Sequence, residues 1–351
     1  MRRLPIYFLI DVSESMVGEP VQLVEEGMAR IIRELKADPY AIETAWISVI
    51  VFAGQAKTLV PLQELIHFYP PRFPVGGGTA LSKGLGQLMF ELRKNQVKTT
   101  YEQKGDWKPL IFMFTDGVPT DETNAAIQEW QQQWRSSVNL VAIAMGAEAD
   151  TPVLREITDH VLLFNNSNAD TYKQFFRWIT ASIKTTSESV ENSGSGFELA
   201  KTDGDTLSKI DLTKAPPPAQ YADSNFVVLA GKCQHTQRPY LMKYRKVVQP
   251  AAFSGLDLQT RAYRLVGAFS VTEAYHELSD NIQQQFSINT SELIGVPTCP
   301  CCGNQTAFAV CGCGQVHCIG DEEVSRCPSC GNQGRYTSSG EEGFDVNRTQ
   351  G

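Results

Sequence analysis

The chain has 351 residues, 42% hydrophobic and 20% charged, which is enough length for two domains with real cores. Its net charge of −8 argues against a general nucleic-acid or membrane binder, and no apolar run approaches the length of a membrane span. Two arginines ahead of Leu4–Ile10 imitate a signal peptide. Pro5 interrupts that short stretch, however, and it runs into Asp11 with no small-residue cleavage site, so it reads as a buried strand of a cytoplasmic protein.

Apolar runs and helical patterns alternate over residues 1–184. PIYFLI, AWISVIVFA, PLIFMFTD, NLVAIAMG and HVLLFNN read as strands. VQLVEEGMARIIRELKA, ALSKGLGQLMFELRKN, TNAAIQEWQQQWRS, TPVLREITD and DTYKQFFRWITASIKT read as helices. Strands without polar alternation predict a sheet covered on both faces, hence an α/β, doubly wound, mainly parallel layer architecture. AWISVIVFAGQAKTLVPL reads as a hairpin that leaves one antiparallel edge. Residues 185–224, rich in Ser, Gly, Asp and Pro, read as a flexible linker ending in Pro216-Pro217-Pro218. Residues 225–335 form a second, smaller β domain. It opens with two strands in NFVVLAGKCQHTQRPYLMKYRKVV, and VTEAYHELSDNIQQQF follows as a helix. Residues 336–351 read as a loose polar tail.

In an open α/β sheet, ligands collect at the carboxyl ends of the strands. The first strand ends in LIDVSES, which supplies Asp11, Ser13 and Ser15, and PLIFMFTDG supplies Asp116. VGGGTALSKGL places Thr79 after three glycines that let the backbone turn sharply. Ser13 or Ser15 alone could be a helix N-cap, and Asp116-Gly117 alone a turn. Together they are a set of hard oxygen ligands suited to Mg²⁺ or Mn²⁺. This D-x-S-x-S…T…T-D-G pattern resembles the von Willebrand factor A domain and its metal-ion-dependent adhesion site over roughly residues 4–184. The resemblance implies that Ser13, Ser15 and Thr79 meet the metal through hydroxyls, and Asp11 and Asp116 directly or through water. A partner's carboxylate would complete the octahedron, in a family that mostly binds and does no chemistry. A haloacid-dehalogenase-like phosphatase is the enzymatic alternative, but it wants a second carboxylate where Ser13 stands. A serine cannot do general acid work near neutral pH, and no G-x-S-x-G elbow is present.

Eight of the nine cysteines fall in CPCCGNQTAFAVCGCGQVHCIGDEEVSRCPSCG, a density that points to metal rather than disulfides in a reducing compartment. The two C-P-x-C-G pairs, Cys299/Cys302 and Cys327/Cys330, predict one structural zinc ribbon. Cys311, Cys313, His317 and Cys318 are candidates for a second site or for exchange with the outer pairs, and Cys301 for a spare thiol. Cys233 and His235 form a lone C-x-H, a weak signal. From residue 291 onward three Arg or Lys face seven Asp or Glu, which favours a protein partner over nucleic acid. RPYLMKYRK reads as a solvated basic strand. With an A domain ahead of the linker and the run CPCCG, CGCGQVHC, CPSCG behind it, the chain resembles TerY-type proteins of bacterial tellurium-resistance and chemical-stress systems. That resemblance implies a non-enzymatic scaffold working with a serine/threonine kinase and a metal-dependent protein phosphatase.

Overall fold

The computed structural model describes residues 2–102, 104–116, 118–145, 151–164, 176–186, 207–209, 225–248, 261–280, 286–336 and 343–349. The first domain holds strands β1 (Leu4–Asp11), β2 (Ala45–Phe52), β3 (Ala56–Glu64), β4 (Leu110–Thr115), β5 (Asn139–Met145), β6 (His160–Phe164) and β7 (Leu207–Lys209). Its helices are α1 (Glu19–Lys36), α2 (Pro39–Thr44), α3 (Leu81–Asn95), α4 (Asn124–Gln133), α5 (Thr151–Ile157) and α6, helical over the described residues 176–186. The sheet order is β3-β2-β1-β4-β5-β6-β7. Strands β2, β1, β4, β5 and β6 run parallel, and β3 and β7 close the edges antiparallel.

All eight residues of β1 are buried. Its side chains alternate between two cores, as the pleat requires. Leu4, Ile6, Phe8 and Ile10 pack on one face with Val24, Met28, Ile31 and Leu35 of α1 and Ile179 and Ile183 of α6. Tyr7 and Leu9 pack on the other with Leu85, Leu88 and Leu92 of α3 and Trp130 of α4. That is the physical content of the doubly wound reading: a central strand covered on both faces has no polar side to show. The hairpin expected at the edge is β2–β3.

The second domain contains β8 (Phe226–Lys232), β9 (Pro239–Val248), β10 (Arg261–Ser270), α7 (Ala274–Leu278), β11 (Phe286–Asn289), β12 (Leu293–Ile294), β13 (Thr306–Val310), β14 (Val316–Ile319), β15 (Ser325–Arg326), β16 (Gln333–Gly334) and β17 (Asp345–Arg348). Six strands form one sheet in the order β12-β10-β9-β8-β14-β13, and β11–β17 and β15–β16 are two-stranded ladders. The two strands expected around CQHTQR are β8 and β9. Among the described residues, no helix is long and apolar enough to cross a membrane.

Three readings change. Of the helix expected over VTEAYHELSDNIQQQF, the described residues show Ala274–Leu278; Ser279 and Asp280 leave it to bond the first domain, 281–285 lie outside the described residues, and Phe286 belongs to β11. Within the expected linker, β7 pairs with β6 and widens the first sheet, while 187–206 and 210–224 lie outside the described residues. The tail expected to be loose contributes β17. Val346 is 3% exposed, Arg348 Nη2 donates to Phe226 O at 2.7 Å and Thr349 N to Val228 O at 2.9 Å. A single apolar residue in DVNR gave too little periodicity to mark a strand.

The docked tail has a measurable consequence. Val346→Ala removes about two buried methyl-sized groups and should cost about 2 kcal/mol. The expected reading is a lower urea midpoint with an unchanged slope; a loose tail would leave the midpoint where it is.

Candidate metal centres

Chain order puts β2 and β3 on one side of β1 and β4 to β6 on the other. The crevice beyond the carboxyl ends of β1 and β4 is therefore the switch point of the sheet, the place where α/β folds hold ligands. Asp11 is the last residue of β1 and Thr115 the last of β4. Asp11 has no exposed surface; its Oδ1 accepts from Ser13 N at 2.9 Å and its Oδ2 from Thr115 Oγ1 at 2.7 Å. The Ser13 and Ser15 hydroxyls are 2.9 Å apart, and Ser15 Oγ donates to Asp116 Oδ1 at 2.9 Å. Four of the five expected oxygen-bearing residues thus lie in one chain of hydrogen bonds.

Thr79 stands on the adjoining loop and is 2% exposed. Gly76 N donates to Val12 O at 2.9 Å and Ala80 N to Ala53 O at 2.7 Å, so both ends of that loop are tied to neighbouring strand ends. Gly78 has φ 87°, a conformation that favours glycine. Thr79 N donates to Thr120 Oγ1 at 2.8 Å and Thr120 N to Thr79 O at 3.0 Å, so the β4 loop and the Thr79 loop lock together. Asp121 accepts from Ser82 N at 3.0 Å and caps α3 from outside, since Ala80 cannot. Thr115 belongs to the T-D-G of the sequence pattern but is not among the expected ligands; Thr120 and Asp121 are not singled out, although all three lie in the same FTDGVPTD run.

Burial pushes the Asp11 carboxyl up to about 6, against the pull of the Thr115 and Ser13 hydrogen bonds. A buried carboxylate beside a second carboxylate and several hydroxyls is short of positive charge, and a hard divalent cation fits that donor set. Among the described residues, Asp11 is bonded by the Thr115 hydroxyl and the Ser13 amide, and neither partner is a histidine or a lysine that could move a proton.

The cysteines sort differently from the expected ribbon. Cys233, Cys299, Cys302 and Cys318 form one group and Cys311, Cys313, Cys327 and Cys330 another, each with ligand atoms within 4.8 Å of one another. The outer pairs therefore do not share a site; each takes two partners from elsewhere. The β8–β14 pairing sets His317 against Lys232, next to Cys233, and so brings Cys318 to the Cys233 turn, while Cys311 and Cys313 sit at the tip of the β13–β14 hairpin. Successive side chains of a strand face opposite ways, so His317 and Cys318 cannot serve one site. His317 is buried, with Nδ1 3.0 Å from Cys318 O and Nε2 2.8 Å from the Tyr336 hydroxyl. His235 and Cys301 belong to neither group.

Sulfur separations of 3.7 Å (Cys302–Cys318), 3.9 Å (Cys233–Cys318), 3.6 Å (Cys311–Cys330) and 3.8 Å (Cys313–Cys327) are recorded. A tetrahedron with Zn–S bonds of about 2.3 Å has edges of about 3.8 Å. None of the nine cysteines forms a disulfide. Cys233 comes down to about 7, burial being outweighed by hydrogen bonds from Thr236, and Cys311 reaches about 7 mainly through the Cys313 amide. Cys302 and Cys318 in the first group, pushed up chiefly by burial, and Cys330 in the second, pushed up beside its fellow thiols, resist ionising next to them, the state a soft-ligand cation resolves.

The strand RPYLMKYRK is not wholly solvated. Lys243 is 3% exposed and its Nζ donates to the carbonyl oxygens of Ser15 and Val17 in the first domain. Glu14, inside the D-x-S-x-S run, is fully buried and accepts from the Tyr275 hydroxyl.

Residues 6–178 match the von Willebrand factor type A domain and residues 223–351 the TerY-C metal binding domain. The fold and the oxygen-lined crevice therefore define a von Willebrand A-type protein carrying a second, metal-binding module. The two matches, in this order along one chain, give it the TerY-type architecture. Inter-alpha-trypsin inhibitor heavy chain H1 of Sus scrofa is 26% identical over 123 residues, 33% of this chain, which spans only 13% of that protein. Among solved structures, a von Willebrand factor type A protein from Catenulispora acidiphila is 17% identical with a TM-score of 0.39, covering 52% of this chain and 43% of its own. The ArnB paralog VWA2 from Sulfolobus acidocaldarius is 11% identical with a TM-score of 0.38, covering 78% and 66%.

Two outcomes are expected. Metal analysis of the purified chain should find two zinc ions. Cys233→Ser and Cys311→Ser should each lose one and Cys301→Ser none; equal retention in Cys233→Ser would restore the outer-pair ribbon. The second concerns pH. The Asp11 carboxyl is raised from 3.8 to about 6, so without a cation its ionisation costs stability as pH rises through that window. A bound cation removes that cost, and stabilisation by added Mg²⁺ should be larger at about pH 7.5 than at about pH 5.

Proposed function

We propose that this chain is a metal-dependent protein-interaction adaptor. The observation that carries the reading is the Asp11, Ser13, Ser15 and Asp116 cluster. It is a mostly buried set of hard oxygen donors at the sheet's switch point, bounded by the Thr79 loop and bonded to one another and to Thr115. Asp11, Ser13, Ser15, Thr79 and Asp116 would hold Mg²⁺ or Mn²⁺, which when bound supplies a positive site for an incoming carboxylate oxygen. The protein's part is to fix the donors in place and to keep Asp11 away from water. Asp116 is partly exposed, and so are Val118, Pro119 and Glu122 beyond it, which leaves a side from which a partner's acidic residue can approach.

Cys233, Cys299, Cys302 and Cys318 would hold one zinc ion and Cys311, Cys313, Cys327 and Cys330 the other. Four sulfur ligands close each tetrahedron, so both zincs would be structural. Resemblance to TerY-type proteins suggests a cytoplasmic stress-response system, in which the partners would be a serine/threonine kinase and a metal-dependent protein phosphatase. Acidic residues outnumber basic ones from residue 291 onward, which favours protein over nucleic acid as the second module's partner.

A pull-down with a serine/threonine kinase and a metal-dependent protein phosphatase from the source organism tests the reading. Capture should require Mg²⁺ and disappear in Asp11→Ala and Thr79→Ala with zinc content unchanged. Capture that persists in EDTA at the wild-type level would sink the metal bridge. Asp11-dependent turnover of a phosphate ester would replace the adaptor with a hydrolase.

A further inference from the structure

The second domain does not merely follow the first; it sits on the loops that carry the candidate ligands. Val17 and Val75 of the first domain pack in one buried cluster with Val228, Leu241, Val271 and Tyr275 of the second. Around that cluster the segment Val271–Asp280 runs as a strap. Its Tyr275 hydroxyl donates to Glu14, between the two ligand serines. Its Ser279 Oγ accepts from Gly77 N at 2.9 Å, two residues before Thr79, and Asp280 N donates to Gly77 O at 3.1 Å. Leu278 O accepts from Gln55 N at 2.8 Å, in the turn whose Ala53 carbonyl anchors Ala80. Lys243 adds its two bonds to the Ser15 and Val17 carbonyls.

The fit is close enough to exclude a methyl group. A Cβ on Gly54 would lie 2.1 Å from Asp280 N, and one on Gly76 2.6 Å from Leu278 Cβ. Burying Glu14 and Lys243 costs free energy unless each is well paired, and both find partners across this contact. The exposed ion pair Lys57–Glu277, by contrast, contributes little. The strong contacts fall on the two loops that bear Ser13, Ser15 and Thr79.

We infer that Tyr275 and Ser279 are positioning residues for divalent-cation binding at Asp11, Ser13, Ser15, Thr79 and Asp116, so that the adhesion site is completed by both domains of one chain. This rests on the reading of that cluster as a Mg²⁺ or Mn²⁺ site. Neither residue touches the ion. Tyr275 fixes the Ser13–Ser15 backbone through Glu14, and Ser279 fixes the glycine loop that aims Thr79. Groups that orient metal ligands from behind typically matter 10–100-fold in affinity.

The test is a calorimetric Mn²⁺ titration of the full chain with its zinc in place. Tyr275→Phe and Ser279→Ala, each removing one hydroxyl, should weaken binding about tenfold. Tyr336→Phe removes a hydroxyl of the same domain that faces His317 instead; it should leave binding unchanged and controls for general loosening. Adding Glu14→Ala to Tyr275→Phe should weaken binding no further than Glu14→Ala alone, because the two share one contact. Binding within about twofold of wild type in both strap variants, while Asp11→Ala binds nothing, would overturn this inference and leave the adaptor reading standing. A wild-type chain with no Asp11-dependent Mn²⁺ binding would overturn both.

Discussion

Asp11 carries a carboxylate to a point with no exposed surface, and much of the molecule is arranged around that constraint. A buried anion must be hydrogen-bonded, neutralised or matched by a cation. The Ser13 amide and the Thr115 hydroxyl answer part of the demand, but burial outweighs them and still pushes the carboxyl up to about 6. The strand order explains why the group can sit there at all. Because β1 lies between β2 and β4, the chain leaves its end and opens a crevice into which three loops can reach. The cores on both sides of β1 then hold the strand end still, so the oxygens are placed by a rigid sheet and not by loops alone.

The first domain was largely legible because its signals are local and redundant. Continuous apolar strands, helical spacing and a five-residue pattern at strand ends each point to the same layers. What escaped is what depends on partners distant in sequence. Thr120 looks like an ordinary turn residue, and Thr115 shows no tie to Asp11, until β1 and β4 lie side by side. Glu14 draws no assignment between its two serines, and Lys243 counts as one of several cations of a solvated strand. Only the docked second domain turns them into buried contacts. The triple glycine was read as a sharp turn, and Gly78 does take a positive φ. Gly76 is small for a different reason, the approach of Leu278, which is 202 residues further along the chain.

The cysteines show how a local pattern can mislead on pairing while being right on chemistry. Cys299 and Cys327 each begin a turn in which the residue four positions on, Gly303 or Gly331, has φ 81° or 76° and returns its amide to the cysteine carbonyl. Cys233 begins the same turn: Gln237 N donates to Cys233 O at 3.0 Å, with φ 59° at a residue that is not glycine. The glycine that flags the other two turns is missing there, so C-Q-H-T-Q reads as an ordinary loop. Pairing of the turns is a matter of topology. The parallel β8–β14 ladder, joining segments more than 80 residues apart, decides which thiols meet.

That topology also ties the two kinds of centre together. The Cys233 turn opens β9, and Cys233 N bonds Arg238 O immediately before it. Pro239 O then accepts from Val271 N at 3.2 Å, the first residue of the strap, and Lys243, further along β9, reaches Ser15. A small domain with short strands and a core built partly of cysteines draws much of its order from whatever its thiols bind. The strand that starts at one sulfur tetrad is thus the strand from which the oxygen site is gripped. β9 and the strap join the Cys233 turn to the loops of Ser13, Ser15 and Thr79 through packed strands and hydrogen bonds. The two modules are adjacent in sequence only by way of a long connection, yet physically they share one element, and that shared strand makes the arrangement a single device.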